Sequence, residues 1–100
     1  MIRYKIKITK DHSTVLARYE ISAPVGGELI ASFSLYINGE NIITGDVANN
    51  TKLTSTKFYR LQSADKDCSV SFALSGGSGW SVDGTDVLRG GHDDEAEFSN

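Results

Sequence analysis

The strongest β signal in this 100-residue chain is the segment at residues 29–44, LIASFSLYINGENIIT. Every second side chain of residues 29–37 is apolar, which is the pattern of a strand with one buried face. The pair Asn38-Gly39 then supplies two residues that tolerate the positive φ angles of a type I′ turn. The pattern and the turn together predict a β-hairpin.

A two-residue turn also fixes which residues of the hairpin face one another. The numbers of opposed residues then add up to 77, which sets Ile42 against Leu35 and Thr44 against Phe33 on the buried face. Three apolar side chains fall on the opposite face and would form an exposed patch: Ile30, Tyr36 and Ile43. We expect a partner protein, a second copy of this chain or a second sheet to cover that patch.

Period-two patterns on either side of this hairpin predict further strands. Residues 2–9 alternate without a break, and residues 15–22 repeat the pattern after turn residues at 10–13, so the two segments predict a second hairpin. Residues 45–51 are polar and predict a loop. In the predicted hairpin of residues 2–22, Ile, Tyr, Val and Ala side chains share one face and most of the charged side chains share the other, as expected for strands that cover a core.

The second half of the chain contains weaker and stronger strand patterns. Residues 53–62 have both helical and strand spacing, and we favour a strand. Residues 68–75 alternate almost ideally. Trp80 begins a short strand that Gly84 is expected to break, and residues 87–88 would close the sheet.

These segments predict an all-β fold of six to seven short strands, because no sustained amphipathic helix accompanies them. Strands at intervals of about a dozen residues are typical of an antiparallel β-sandwich or a small barrel, and we favour the sandwich. We assign residues 1–89 to a single β domain. Residues 90–100 hold four acidic side chains after two glycines and predict a flexible polar tail, with Phe98 as an apolar anchor for a partner.

Composition narrows the classes of protein. The chain has a mass of 10.8 kDa, 39% hydrophobic and 23% charged residues, which is ordinary for one globular domain. The longest uncharged stretch, residues 68–82, and the more apolar residues 29–39 are both too short to span a bilayer, so we expect no membrane association. A single cysteine and a charged, alternating N-terminal segment predict a cytoplasmic protein, with secretion by a leaderless route left open.

Residue types needed for common catalytic and metal sites are scarce. The chain has two histidines, His12 and His92, and one cysteine, Cys68, which lies on an apolar strand face and is expected to be buried. Neither a phosphate-binding glycine motif nor a nucleophile motif is present. We therefore predict no enzymatic activity, no catalytic residues, no metal and no cofactor.

The charged residues are unevenly distributed along the chain. Arg3, Lys5 and Lys7 form a basic row on one face of the first strand, whereas residues 92–100 hold four acids. Lysines on the solvent face of an edge strand commonly prevent pairing with other sheets, and no exposed aromatic side chain accompanies this row. We expect no nucleic-acid binding, and the acidic tail could cover the row.

Two function hypotheses remain, and the fold alone does not decide between them. The leading one is a non-enzymatic protein-interaction module of the adaptor, inhibitor, immunity or assembly-subunit type. The alternative is carbohydrate or other small-ligand binding, in which the flat face of an aromatic side chain packs on a sugar ring and carboxylates bind its hydroxyl groups. Its candidate residues are Trp80, Asp83, Asp86 and Tyr59. The competing interpretation of Trp80 is a core residue.

Overall fold

A computed structural model describes residues 2–23, 31–76 and 79–100. These residues form eight strands: β1 Arg3–Lys10, β2 Thr14–Ser22, β3 Ala31–Ile37, β4 Glu40–Val47, β5 Lys52–Arg60, β6 Cys68–Gly76, β7 Ser81–Leu88 and β8 Asp94–Ser99. Sheet 1 has the order β5-β2-β1-β8 and sheet 2 the order β4-β3-β6-β7, and all neighbours are antiparallel. The predicted all-β sandwich is confirmed, with eight strands instead of six to seven. In the described part of the chain no helix has the length and apolar character to cross a membrane.

The two sheets enclose one apolar core. Tyr19 of β2 packs against Phe33 of β3 with ring centroids 4.8 Å apart, and Tyr4 of β1 packs against Phe72 of β6 at 5.3 Å. Tilted aromatic pairs at these distances are favourable contacts. They place β2 over β3 and β1 over β6, so the four central strands carry the middle of the core.

The β3–β4 hairpin confirms the turn but only part of the register. Asn38 and Gly39 have φ angles of 50° and 78°, as a type I′ turn requires. A β-bulge then follows in β4, and Ile42 is its unpaired residue. The observed pairs beyond the bulge are Leu35 with Ile43, Ser34 with Thr44 and Phe33 with Gly45. The predicted pairs of Ile42 with Leu35 and Thr44 with Phe33 are therefore wrong, because the extra residue shifts β4 by one position.

Two glycines that were expected to end or break strands lie inside them. Gly45 belongs to β4, which continues to Val47, and Gly84 belongs to β7. The ring of the cross-strand partner covers each glycine, Phe33 over Gly45 and Phe72 over Gly84. A Cβ atom built on either glycine would lie within 3.0 Å of that ring. The strand therefore continues because the aromatic ring fills the space that a side chain would need.

The C-terminal segment differs from the predicted flexible tail. Residues 94–99 form β8, which pairs with β1 along its whole length. Ala96 is buried, and the ring of Phe98 lies 5.0 Å from that of Phe72, so Phe98 covers the core and does not project as an anchor. Consequently β1 is a central strand of sheet 1 and not the expected edge strand.

Lys10 closes one end of the sandwich. Like Ile6 and Ile8, it points to the core side of β1, and its side chain is fully buried. Its Nζ donates hydrogen bonds to the backbone carbonyls of Asp11 at 3.0 Å and His92 at 2.9 Å. The ammonium group thus joins the β1–β2 turn to the segment between β7 and β8.

Candidate functional site

The outer face of sheet 1 concentrates positive charge. Its basic residues are Arg3, Lys5, Lys7, Arg18, Lys52 and Arg60, and its acidic residues are Glu20, Glu95 and Glu97. These six basic and three acidic side chains give the face a formal charge of +3, whereas the whole chain carries −3. The face is therefore electrostatically distinct from the rest of the molecule.

Each of the three lysines of this face forms an ion pair with a glutamate. Nζ–Oε1 distances are 3.7 Å for Lys5–Glu97, 3.5 Å for Lys7–Glu95 and 3.1 Å for Lys52–Glu20. The side chains are about half exposed, so each pair adds little stability. Each pair nevertheless neutralises a lysine locally. Within residues 2–23, 31–76 and 79–100, the arginines of the face make no ion pair: Arg3, Arg18 and Arg60.

An apolar pair lies among these charges, formed by the exposed Phe58 and the half-buried Leu16. Phe58 of β5 is 69% exposed, and its cross-strand partner on the same face is Leu16 of β2. Side chains two residues apart on one strand point the same way at a spacing of about 7 Å, so Arg18 lies beside Leu16 and Arg60 beside Phe58. We call these four residues the Phe58 patch: Leu16, Arg18, Phe58 and Arg60.

An open depression adjoins the Phe58 patch. It encloses about 520 Å³ across the three strands β1, β2 and β5. Its lining residues are Lys5, Lys7, Arg18, Tyr19, Glu20, Thr54, Ser55 and Thr56. On the outer face, the short side chains of Thr54 and Thr56 in β5 lie opposite the long charged side chains of Glu20 and Arg18 in β2. Arg18 lines the depression and also belongs to the patch, so the two features form one continuous surface.

Each edge strand carries a feature that disfavours pairing with another sheet. β4 has its bulge, and β8 is six residues long with acids on its outer face. The strands β5 and β7 each place one charged residue on the core side of the sheet, Lys57 opposite Ala17 and Asp86 opposite Val70. A strand added at either edge would bring its own apolar residues next to that charge. The faces are therefore better suited to binding a partner than the edges.

Of the residues predicted to form an exposed patch, Tyr36 and Ile43 lie on opposite faces of sheet 2. Tyr36 is half-buried on the outer face of sheet 2, opposite Ser71. Ile43 is paired with Leu35 on the core side because of the bulge, and it packs against the core. Phe98 packs on Phe72, and Ile30 lies outside the described residues.

The four residues proposed for a sugar site are also separated. Trp80 is half-buried and lies over Gly76, where a built Cβ would come within 3.0 Å of the indole. Asp83 points outward from β7 opposite Ala73, whereas Asp86 lies on the core side. Tyr59 belongs to β5, an edge strand of the other sheet. One ligand therefore does not contact all four as a single site.

Tyr59 lies instead in a polar groove of about 380 Å³. The groove is lined by Asn38, Glu40, Tyr59, Gln62, Ser63, Lys66 and Asp67. The Tyr59 hydroxyl donates a 2.8 Å hydrogen bond to Oε2 of Glu40. This bond raises the pKa of Tyr59, and partial burial adds to the effect. The amides, carboxylates and one aromatic ring of this groove offer both donors and acceptors to a polar ligand.

Cys68 is buried, as its position on the apolar face of β6 predicts. Burial raises the pKa of its thiol, against a smaller opposing effect of the Lys10 charge. A thiol of raised pKa forms little thiolate near neutral pH, so Cys68 is a poor nucleophile.

Comparison with known proteins finds no matching family model, no matching curated protein and no matching solved structure.

Proposed function

We propose that this protein is a non-enzymatic protein-interaction module that binds its partner through the outer face of sheet 1. The proposal rests on Phe58, whose side chain is 69% exposed and lies beside Leu16. Two arginines flank this pair, Arg18 and Arg60, and neither makes an ion pair in the described part of the chain. Phenylalanine and arginine are enriched in protein interfaces, and aromatic and arginine side chains contribute much of the binding energy. A partner that covers Phe58 would remove its ring from water.

The remaining surfaces support the same assignment. The edge strands carry a bulge, inward charges or a short acidic strand, which disfavour binding by strand addition. The outer face of sheet 2 presents mostly small polar side chains, among them Ser32, Ser34, Ser71 and Ser75. Such side chains offer little apolar area to an interface. The Phe58 patch combines apolar area with charge.

The experiment is the selection of ligands from a phage-displayed random peptide library on immobilised protein. We expect wild type to enrich peptides, and Phe58→Ser to lower their affinity by about 30-fold or more, because a central aromatic anchor commonly contributes about 2 kcal/mol. Val87→Ser is the matched control, since Val87 is 52% exposed on the outer face of sheet 2. Circular dichroism and thermal unfolding establish that both variants are folded.

Enriched peptides that bind Phe58→Ser as tightly as wild type would contradict the proposed face. Equal losses in Phe58→Ser and Val87→Ser would also contradict it, because the effect would then not depend on the patch. Failure to enrich any peptide over a blank surface would count against the protein-interaction function itself.

A second candidate function is the binding of a carbohydrate or related polyhydroxylated ligand, favoured by the mixed lining of the Tyr59 groove. Sugar sites combine an aromatic surface with placed amides and carboxylates. We expect millimolar monosaccharides to shift backbone amide resonances of Tyr59, Glu40 and Gln62 in a ¹⁵N-labelled sample. Tyr59→Ala should remove these shifts. Shifts confined to Trp80 and Asp83 would instead favour a site on β7, and no shifts with any sugar would reject both.

A further inference from the structure

The charge of the outer face of sheet 1 opposes that of the remaining sequence. Of the chain's 10 basic and 13 acidic residues, 6 and 3 lie on this face, and the remaining 4 basic and 10 acidic residues give a formal charge of −6. A partner with acidic groups is therefore attracted to this face and repelled elsewhere. The electric field of the protein therefore orients such a partner towards this face before the two molecules make contact.

Within the face, Arg18 is the cation best placed to receive a carboxylate. Its neighbours across the strands are Lys7 and Thr56, and it lies two residues from Leu16 on the same face. Lys7 is already paired with Glu95, whereas Arg18 makes no ion pair within the described ranges. The planar guanidinium can donate two parallel hydrogen bonds to one carboxylate. Apolar neighbours that exclude water strengthen such a pair.

The acidic residues of the face argue against a continuous polyanion as the partner. Glu20, Glu95 and Glu97 lie between or beside the cations, so a phosphate backbone or an anionic lipid surface would meet negative charge as well as positive. Glu20 lies two residues from Arg18 on the same face, but it is paired with Lys52. A protein segment with one acidic residue can reach Arg18 from the opposite side, where Leu16 lies, and it needs no second anionic contact on the face. Its neighbouring apolar side chain can cover Phe58.

We infer that the partner presents a carboxylate next to an aromatic or aliphatic side chain, the carboxylate pairing with Arg18 and the apolar group packing on Phe58 and Leu16. This inference rests on the proposed function and specifies its ligand. Recognition then combines desolvation of an apolar pair with one charge-assisted contact.

The test uses the peptides enriched on the wild-type protein, resynthesised with a fluorescein label. Their affinities are measured by fluorescence anisotropy for wild type, Arg18→Gln and Arg3→Gln at one fixed salt concentration. Both variants remove one positive charge from the same face. Arg3, however, lies four residues along β1 from Lys7, the cross-strand partner of Arg18, and is therefore remote from the proposed carboxylate site. We expect the peptides to contain Asp or Glu beside an apolar residue. We also expect Arg18→Gln to weaken binding at least about 10-fold and Arg3→Gln less than about 2-fold.

A second set of peptides carries Asn or Gln in place of each acidic residue. We expect these amide peptides to bind wild type about as weakly as the acidic peptides bind Arg18→Gln, with no further loss when both changes are combined. Equal losses of peptide affinity in Arg18→Gln and Arg3→Gln would overturn the proposed pair between Arg18 and the carboxylate, because only the net charge of the face would then matter.

Two further outcomes separate this inference from the proposed function. Enrichment of uncharged or basic peptides that still depend on Phe58 would overturn the acidic-partner inference while the interaction face stands. Tighter binding of oligo-dT or phosphatidylserine vesicles than of any enriched peptide would overturn both the inference and the choice of a protein partner.

Discussion

Among single residues, Lys10 shows how the alternation of side chains along a strand can place a charged residue in the core. Alternation along β1 puts residue 10 on the inner face, and the long apolar stem lets Nζ reach the end of the sandwich. There the ammonium group donates to two carbonyls, of Asp11 and His92, which belong to different connecting segments. The cost of burying the charge is offset by these hydrogen bonds.

Replacing Lys10 by methionine should destabilise the fold. The variant keeps an unbranched side chain of similar length but removes the donor from both carbonyls, and we expect a loss of about 1–3 kcal/mol. Urea denaturation measures this loss. Lys66→Met, which changes an exposed lysine of the β5–β6 segment, should stay within about 0.5 kcal/mol of wild type. Equal effects of the two substitutions would show that the Lys10 hydrogen bonds do not stabilise the fold.

Asp11 predicts a pH dependence of stability. Its carboxylate accepts hydrogen bonds from the Thr14 hydroxyl, the Thr14 amide and the Ser13 amide, which lower its pKa from 3.8 to about 2. Because the folded-state pKa lies below the unfolded value, this contribution is present above about pH 4 and is lost as the pH falls towards 2.

Thermal unfolding of wild type and Asp11→Asn between pH 6 and pH 2 tests this dependence. Wild type should be the more stable protein at pH 6, and the difference in Tm should shrink below pH 4 and vanish near pH 2. Asp83→Asn is the control, because the described residues show no hydrogen bond to that outward carboxylate. A difference for Asp11→Asn that stays constant over this pH range would contradict the assigned cause.

At the scale of strands, three aromatic side chains share one arrangement. Phe33 and Phe72 cover their cross-strand partners Gly45 and Gly84, and Trp80, which directly precedes β7, covers Gly76 at the end of β6. A glycine within a strand normally weakens it, and an aromatic ring on the neighbouring strand compensates for the missing side chain. The same geometry makes each of these glycines hard to replace.

Gly84→Ala should destabilise the protein by about 1–3 kcal/mol, because its Cβ would meet the Phe72 ring and, less closely, the Phe98 ring. Thr85→Ala, at the next and exposed position of β7, should have little effect. The cost of Gly84→Ala should fall when it is introduced together with Phe72→Leu, which removes the opposing ring edge. Urea denaturation of the four variants measures this coupling, and an unchanged cost in the double variant would contradict the proposed clash.

Local patterns predict the strands that alternate cleanly and miss those that depend on distant neighbours. The segments at β1, β2, β3 and β6 alternate apolar and polar residues, and the Asn38-Gly39 turn fixes its own geometry. In β8 the acids hide a period-two pattern at Ala96 and Phe98, and its pairing depends on β1, more than 80 residues away. The bulge at Ile42 has no local signal, so the face of Ile43 was wrongly predicted.

The candidate site was missed for a similar reason. Phe58 and Tyr59 are adjacent, so only one of them can point into the core from a regular strand. The sequence does not indicate which, because the choice depends on pairing with Leu16 in β2. The two adjacent aromatics were the signal that one of them would be exposed.

At the scale of the whole molecule, the edges and faces have different roles. Lys57 and Asp86 place charges at the open sides of the sandwich, where an added strand would have to bury them. The faces carry no such obstacle, and the outer face of sheet 1 combines the +3 charge with the exposed Phe58.

Asp86→Val should therefore promote association through the β7 edge. Light scattering over a range of protein concentrations should show larger species for this variant than for wild type. Asp83→Val adds the same side chain to the same strand but on its outer face, and it should associate less. If both variants behave like wild type, the inward charge does not protect the edge.

Binding of a partner to the outer face of sheet 1 can be tested by mapping where a selected peptide contacts the protein. We would add an enriched, unlabelled peptide to ¹⁵N-labelled protein and follow the backbone amide resonances. We expect the largest shifts to fall on Leu16, Arg18, Thr56 and Phe58 of sheet 1. Shifts concentrated on the outer face of sheet 2, around Tyr36 and Val87, would contradict this expectation.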